Sequence, residues 1–263
     1  MGVHNRMATD SQLSPTLIYQ IFAKADFRKH FHLGGFDATK ELLGLCNIDR
    51  TKHVLEVGCA SGRTACYLAR TQDCRVTGVD LLPAMVDRAR ERAAREGVED
   101  HVDFRVGDAL ALPFEDGRFD IVIGEFITGL VDDKQGAARE YLRVAKSGGT
   151  IGLNEATWLK PPPKELAEQL SQVFGVRGEL LPAEGWRQLL ASVGLNEIQT
   201  RSYKAASLSN RRDDIADLLR TLPQVVSMYA SNSAFRHFIR VSMSLPKDFL
   251  DYYGYGLYIG RKR

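Results

Sequence analysis

The stretch VLEVGCASGRTACYLAR, from Val54 to Arg70, decides the fold. It begins with an apolar strand pattern, passes through a turn of small residues and continues as a helix. Small residues let a backbone approach a ligand closely, and a helix exposes unpaired N–H groups at its N-terminus. The stretch therefore predicts a nucleotide cofactor site, with the acid Glu56 at the end of the strand.

The turn in this stretch distinguishes two kinds of cofactor. A dinucleotide fingerprint needs glycines in the order G-x-G-x-x-G, but Ala60 and Arg63 stand at the second and third places. The turn instead resembles motif I of class I S-adenosylmethionine methyltransferases, which is E-x-G-x-G-x-G. The matching cofactor-binding residues are Glu56, Gly58, Cys59, Ala60 and Gly62, with alanine in place of the middle glycine.

A second strand pattern, CRVTGVD, ends at Asp80, 22 residues after Gly58. An acid at this place can bind both ribose hydroxyls of a nucleotide. Asp80 can also cap the helix that we expect to begin near Pro83, and the two roles are compatible. We predict that Asp80 and the adjacent Leu81 bind the cofactor.

A third strand pattern, VDFRV, is followed by Gly107, Asp108 and Ala109. These residues resemble the adenine-binding motif of the same family. The resemblance implies that Asp108 accepts a hydrogen bond from the adenine amino group while apolar neighbours cover the ring. The alternative is an aspartate in a surface turn.

Further strand and helix patterns follow in the order of the family. A buried strand is expected from Phe119 to Ile123, a helix from near Asp133, and a fifth strand after the turn KSGG. The resemblance implies an α/β, Rossmann-like sheet of seven strands in the order 3-2-1-4-5-7-6, with the last strand antiparallel and helices on both sides.

The remaining segments predict a single domain with a cap. Residues 1–50 form an N-terminal helical lid, residues 51–205 the core, residues 206–251 a helical insertion, and residues 252–263 the last strand. The insertion is too long for a hairpin between strands. It has helical stretches at 213–222 and 231–243, so we expect it to cover the substrate together with the lid.

Composition and charge exclude several classes of protein. A net charge of +2 does not favour nucleic acid as a partner. The segment GEFI after the fourth strand lacks the N-P-P-Y type of motif found in base and glutamine methyltransferases. We find no apolar run of eighteen residues and no secretion signal, which predicts a cytoplasmic protein without stable membrane insertion.

Four cysteines lie in or beside the predicted core, without C-x-x-C spacing. We expect them to be buried free thiols; thiol chemistry of the kind seen in arsenite methyltransferases is the alternative. The acid pair plus asparagine of magnesium-dependent catechol-type enzymes is not evident, so no metal is predicted.

Candidate catalytic residues are His32, Glu125 and Glu155. Ligands of an open parallel sheet bind beyond the carboxyl ends of the strands, where Glu125, Phe126 and Glu155 are expected. These carboxylates could bind a cationic substrate, deprotonate a nucleophile or contact the cofactor. His32 begins an H-L-G-G element similar to that of ubiquinone, sarcosine and phosphoethanolamine methyltransferases.

The resemblance implies transfer of a methyl group from S-adenosylmethionine to O, N or C of a small organic acceptor, with S-adenosylhomocysteine as the product. A lipid-like or prenylated quinone acceptor is one alternative, and a non-catalytic cofactor-binding regulatory protein is another. Aminopropyl transfer on the same fold has only Glu125 and Glu155 to support it. The oligomeric state is left open, a homodimer included.

Overall fold

The computed structural model describes residue 19 and residues 33–174, 179–205, 222–223 and 225–263. The chain divides into two compact units, which we call the sheet unit and the helical unit. The sheet unit comprises His30–Pro161, Leu180–Ala206 and Leu250–Arg263, and the helical unit comprises Met1–Lys29, Pro162–Glu179 and Ser207–Phe249. The predicted lid of residues 1–50 lies mostly outside the described residues.

The sheet unit contains one sheet of seven strands in the order β3-β2-β1-β4-β5-β7-β6. The strands are β1 His53–Val57, β2 Arg75–Asp80, β3 Val102–Val106, β4 Phe119–Glu125, β5 Ala145–Trp158, β6 Leu195–Lys204 and β7 Tyr253–Lys262. β7 is antiparallel to both of its neighbours, whereas β1 to β5 pair in parallel. The predicted fold class and strand order are confirmed.

Helices cover both faces of this sheet. They are α1 Gly35–Leu45, α2 Arg63–Gln72, α3 Pro83–Glu96, α4 Lys134–Val144 and α6 Ala183–Ser192, with a 3-10 turn at Thr128–Leu130 and another at Phe249–Asp251. Because neighbouring strand residues point to opposite faces, Val54 packs among α1, α2 and α3, and Leu55 packs among α4 and α6. The side chains of Val54 and Leu55 are both fully buried. β1 therefore lies at the centre of two cores, and its carboxyl end is fixed from both sides.

The KSGG segment lies within β5. β4 pairs Phe119 with Ala145 and then Ile121 with Thr150, so the register shifts where the extra residues are inserted. Gly148, at a φ of 74°, supplies the left-handed conformation that this irregularity needs. Beyond it the strand stays regular as far as Trp158.

The helical unit contains α5, Lys164–Phe174, and α7, Ser233–Met243, which pack against each other. Residues 225–231 are also helical. Asn232 caps α7 by accepting the Phe235 N–H at 3.0 Å, and Phe235 is buried. Of the two helical stretches expected in the insertion, 231–243 matches α7, and 213–222 lies outside the described residues except for its last position. Among the residues that the structure describes, no helix is both long and apolar enough to cross a bilayer.

Candidate functional site

The turn between β1 and α2 has an unusual backbone conformation. Gly58, Ala60 and Gly62 have φ angles of 73°, 44° and 72°, all in the left-handed region. The N–H groups of Gly58 and Cys59 both donate to the Val79 carbonyl oxygen of β2, at 2.8 and 3.0 Å. The left-handed conformation costs a residue with a Cβ about 1–2 kcal/mol, so Ala60 is accommodated with strain.

Asp80, at the end of β2, holds this turn. Its Oδ2 accepts the Ala60 N–H at 2.8 Å, and its Oδ1 accepts the Leu82 N–H at 2.9 Å, next to the start of α3. The residue is only 2% exposed. Asp80 therefore fixes both the middle of the motif turn and the entry to α3. The N-cap of α3 is Leu82, so Asp80 orders the backbone ahead of this helix rather than capping it.

The ends of β2 and β3 form a partly apolar edge. The Gly107 N–H donates to the Asp80 carbonyl oxygen at 2.9 Å, which places Asp108 beside the end of β2. Asp108 is exposed, and its Oδ1 accepts the Leu110 N–H at 2.9 Å. Ala109 is half-buried against the core. Large apolar side chains are exposed at this edge, namely Leu81, Val106 and Leu110.

Glu56, in β1, is a buried acid directly before the turn. It is 5% exposed, and its Oε2 is buried without a hydrogen-bond partner. Burial raises the pKa of the Glu56 carboxyl well above its usual value, and the nearby Glu125 and Asp80 raise it further. The Thr64 hydroxyl and the Ala65 N–H act in the opposite direction. An orphaned buried carboxylate oxygen is a group that a ligand can satisfy.

Glu125, the last residue of β4, is half-buried and accepts hydrogen bonds from two helices. The Thr39 hydroxyl of α1 donates to its Oε2 at 2.8 Å, and the Thr64 hydroxyl of α2 donates to its Oε1 at 3.2 Å. Sequence reasoning missed both threonines. Thr64 could have been found as the second residue of the helix that follows the motif turn, whereas no local signal marks Thr39.

Glu56, Asp80 and Glu125 thus lie at the ends of three adjacent strands, β1, β2 and β4. Their carboxylates influence one another electrostatically, since both Glu125 and Asp80 raise the Glu56 pKa. The structure brings these predicted residues together around the motif turn. Such an arrangement favours a ligand with positive charge.

The loop after β4 also reaches the turn. Phe126 has a φ of 60°, which is rare for a bulky residue, and its N–H donates to the Asn154 carbonyl oxygen at 2.7 Å. The next residue, Ile127, packs its side chain directly against Gly58, where a Cβ would overlap it. A backbone held in such a conformation is a common feature of functional sites.

Glu155 follows Asn154, which pairs with Glu125 at the end of β4, but its side chain is covered rather than open to a ligand. It is fully buried; its Oε1 accepts the Thr128 N–H at 2.8 Å, and its Oε2 accepts the Gly129 N–H at 3.1 Å. Burial raises the pKa of the Glu155 carboxyl to about 7, although these hydrogen bonds oppose the shift. The structure separates Glu155 in environment from Glu125, whose carboxylate is half-buried.

The third catalytic candidate, His32, lies outside the described residues. The four cysteines are free and buried, as predicted. Burial raises the pKa of the Cys59 thiol well above its usual value, with Glu56 and Asp80 adding to the shift. A thiol that resists ionisation is a poor nucleophile, so Cys59 contributes its backbone rather than its sulfur to the turn.

Comparisons with known proteins agree with this geometry. A family model described as a methyltransferase domain matches residues 54–149. An uncharacterised protein of Haemophilus influenzae is 30% identical over 178 residues, which cover 67% of this chain and 71% of that protein. Ajmaline N-methyltransferase of Rauvolfia serpentina is 32% identical over 161 residues, covering 59% of this chain and 55% of the enzyme. The chain thus spans about half the length of that relative.

A solved structure of similar fold is that of the [4+2]-cyclase SpnF. Its TM-score is 0.76 at 21% identity, over 95% of this chain and 97% of that one. At this identity the likeness shows the fold alone. The family is shown by the sequence matches. The family model begins at Val54 and spans the motif turn and the ends of β2, β3 and β4. The chain therefore belongs to the class I S-adenosylmethionine-dependent methyltransferases, in the group of types 11 and 25.

Proposed function

We propose that this chain transfers the methyl group of S-adenosylmethionine to O, N or C of a small organic acceptor. The observation that carries the proposal is the buried, unpartnered Oε2 of Glu56, beside the motif turn and close to Glu125. When bound, the cofactor supplies an electrophilic methyl group on a positively charged sulfur. Three carboxylates at the ends of adjacent strands suit that charge.

The nucleoside half of the cofactor fits the ends of β2 and β3. We assign the ribose hydroxyls to Asp80, which the turn already holds in place through the Ala60 N–H. We assign the adenine to Asp108, with the exposed apolar side chains of Leu81 and Leu110 available to cover the ring. The backbone of Gly107 connects the two acids.

The methionine half fits the end of β1 and β4. Glu56 and Glu125 both lie beside the Thr64 hydroxyl, so their carboxyl groups are close enough to repel each other when ionised. A cationic group of the ligand placed near them would offset this repulsion. Gly58 is partly exposed, which leaves some of the backbone of this turn accessible to a ligand. The cofactor's positive charge fits these residues.

The acceptor is held by residues that the family motifs do not define. We propose that Glu125 orients the acceptor or takes its proton, and that His32 assists in the pocket. We also propose that the lid of residues 1–50 and the insertion of residues 206–251 exclude water from the reaction. Holding a nucleophile in line with the C–S bond can contribute roughly 7–11 kcal/mol, so a dedicated base is optional.

A lipid-like acceptor is the second candidate, because the helical unit exposes large apolar side chains. Met243 is 82% exposed, Val226 59% and Tyr229 51%. A contiguous exposed apolar surface is typical of sites that bind apolar ligands or interfaces. Methyl transfer that requires detergent micelles or vesicles would favour this candidate, and equal activity on small soluble acceptors would favour the first.

Calorimetric titration with S-adenosylhomocysteine and S-adenosylmethionine tests the cofactor assignment. We expect micromolar binding to the wild type, a loss of roughly 10-fold in Asp108→Ala, and a larger loss in Asp80→Asn, which keeps the shape of the side chain. Asp87→Ala, an exposed acid on α3, is the matched control and should bind normally. A folded wild type that binds neither ligand would overturn the proposed function.

Once binding is established, a screen of amine, hydroxyl and activated-carbon acceptors identifies the substrate class. The readout is methyl transfer to each compound, with Glu125→Gln as the matched variant. We expect Glu125→Gln to lower turnover more than cofactor affinity if this acid handles the acceptor's proton. Equal turnover in wild type and variant would remove Glu125 from that role.

A further inference from the structure

The loop after β4, residues 126–130, is fastened to β5 through two consecutive residues. The Phe126 N–H donates to the Asn154 carbonyl oxygen, and the Glu155 carboxylate accepts the N–H groups of Thr128 and Gly129. The Ile127 N–H also stabilises the ionised form of Glu155. One buried side chain therefore accepts two successive backbone N–H groups of this loop.

The same loop contacts the motif turn through Ile127. Its Cγ1 and Cδ1 occupy the space that a Cβ on Gly58 would fill. The other side of Gly58 is fixed, because its N–H donates to the Val79 carbonyl oxygen. Any movement of the loop away from β5 therefore changes the space above Gly58.

A carboxylate suits this position better than an amide does. Both of its oxygens only accept hydrogen bonds, and each receives an N–H here. A glutamine would keep one accepting oxygen and turn its NH₂ group toward another N–H donor. Protonation of the carboxylate would likewise place an O–H donor opposite an N–H donor and weaken one of these hydrogen bonds.

Titratable groups face Glu155 from the two elements packed against it, α4 and β7. Lys134 and Tyr141 approach it from α4, and Tyr253 and Tyr258 approach it from β7. Burial raises the pKa of each tyrosine hydroxyl, so these three residues stay neutral over the physiological range. Burial lowers the pKa of the Lys134 amine, which Glu155 partly opposes.

We propose that Glu155 is a positioning residue: its ionised carboxylate holds loop 126–130 so that Ile127 stays against Gly58, which preserves the turn that receives the cofactor. This inference rests on the proposed function, because it concerns the same cofactor site. Glu155 acts through the loop and needs no contact with cofactor or acceptor.

The proposal predicts how cofactor affinity depends on pH. The pKa of the Glu155 carboxyl is about 7, so most of the protein carries the ionised form at pH 8 and a minority carries it at pH 6. If only the ionised form holds the binding-competent loop, the Kd for S-adenosylhomocysteine rises about tenfold from pH 8 to pH 6. Glu155→Gln should bind weakly at both values, without this dependence.

The experiment is calorimetric titration of S-adenosylhomocysteine at pH 6, 7 and 8. The variants are Glu155→Gln, Ile127→Ala and the two combined. The matched control is Asp120→Asn, because Asp120 is another partly buried acid that accepts a backbone N–H, that of His53 at 2.9 Å, but at the amino ends of β1 and β4. We expect the control to keep the wild-type affinity and pH profile, and the double variant to bind no worse than the weaker single variant.

The outcomes separate this inference from the proposed function. Binding by the wild type with a pH profile that Glu155→Gln retains, or additive losses in the double variant, overturns the role of Glu155 alone. No binding by the wild type overturns the proposed function and this inference with it. If Glu155→Gln does not fold, amide hydrogen exchange of residues 126–130 in the wild type tests the role instead, after correction for intrinsic exchange rates. Greater protection at pH 8 than at pH 6 supports the role of Glu155, and equal protection overturns it.

Discussion

Burying the ionisable carboxyl of Glu155 should make the stability of the sheet unit fall as pH rises. The pKa of this group is about 7 in the folded protein, against an ordinary value of 4.5. The folded state therefore binds more protons than the unfolded state between these values. The stabilising contribution is complete below pH 4.5 and is lost as pH rises through 7.

The magnitude follows from the size of the shift. One pKa unit corresponds to about 1.4 kcal/mol, so a shift from 4.5 to about 7 corresponds to about 3.5 kcal/mol, most of which is lost between pH 5 and pH 8. Glu155→Gln cannot ionise, so its free energy of unfolding lacks this component. The difference between wild type and variant should therefore shift by about 2–3 kcal/mol across that range, in the variant's favour as pH rises.

Urea denaturation at pH 5, 6, 7 and 8, followed by tryptophan fluorescence, measures this difference. Both tryptophans of the chain, Trp158 and Trp186, belong to the sheet unit. Glu56 contributes a slope of the same sign, since its pKa is also raised, but it is present in both proteins and cancels in the comparison. A difference between wild type and Glu155→Gln that does not change with pH would refute the reasoning.

Three further predictions concern the motif turn and its neighbours. Ala60→Gly should stabilise the protein by about 0.5–1 kcal/mol in urea denaturation, because relief of a left-handed alanine exceeds the added chain entropy. Gly62→Ala should lower the free energy of unfolding by about 1–3 kcal/mol more than Gly97→Ala does. Both glycines are left-handed, but of the two only Gly62 has side chains, at 2.8 Å, where a Cβ would be added; equal losses would contradict this. Thr64→Val should cost about 1–2 kcal/mol and weaken S-adenosylmethionine binding, because it removes a hydroxyl that donates to Glu125; unchanged stability and affinity would show that the bond contributes nothing.

The sequence predicted the turn and the strand ends well because those signals are local. A small-residue turn after an apolar strand, and an acid at the end of the next strand, are sufficient to place Gly58 and Asp80 side by side. The two are joined through Ala60, whose N–H donates to the Asp80 carboxylate. Even the alanine that departs from the family motif keeps the left-handed conformation of a glycine.

The contacts that the sequence did not reveal join residues far apart in the chain. Thr39 donates to Glu125 across 86 positions, and no pattern around either residue indicates the pair. Glu155 was expected at the open rim because it lies near the end of the fifth strand. β5, however, continues to Trp158 beyond the end of β4, paired there with β7 alone, and the loop after β4 covers the Glu155 side chain, so the acid is buried. A strand that is buried on both faces shows no alternation from which the direction of a polar side chain could be read.

Glu155 shows why a buried acid can be worth its cost in stability. In the folded protein its ionised form is disfavoured by burial, yet the same form accepts the N–H groups that hold the loop at Thr128 and Gly129. A well-packed apolar residue would remove the penalty but leave those donors buried without acceptors. The two experiments on Glu155→Gln therefore have opposite expectations. At pH 8 the variant should be relieved of the unfavourable buried charge, and it should bind S-adenosylhomocysteine less tightly than the wild type. A variant in which stability and affinity both rise, or both fall, would show that stability and loop position are not separate functions of this side chain.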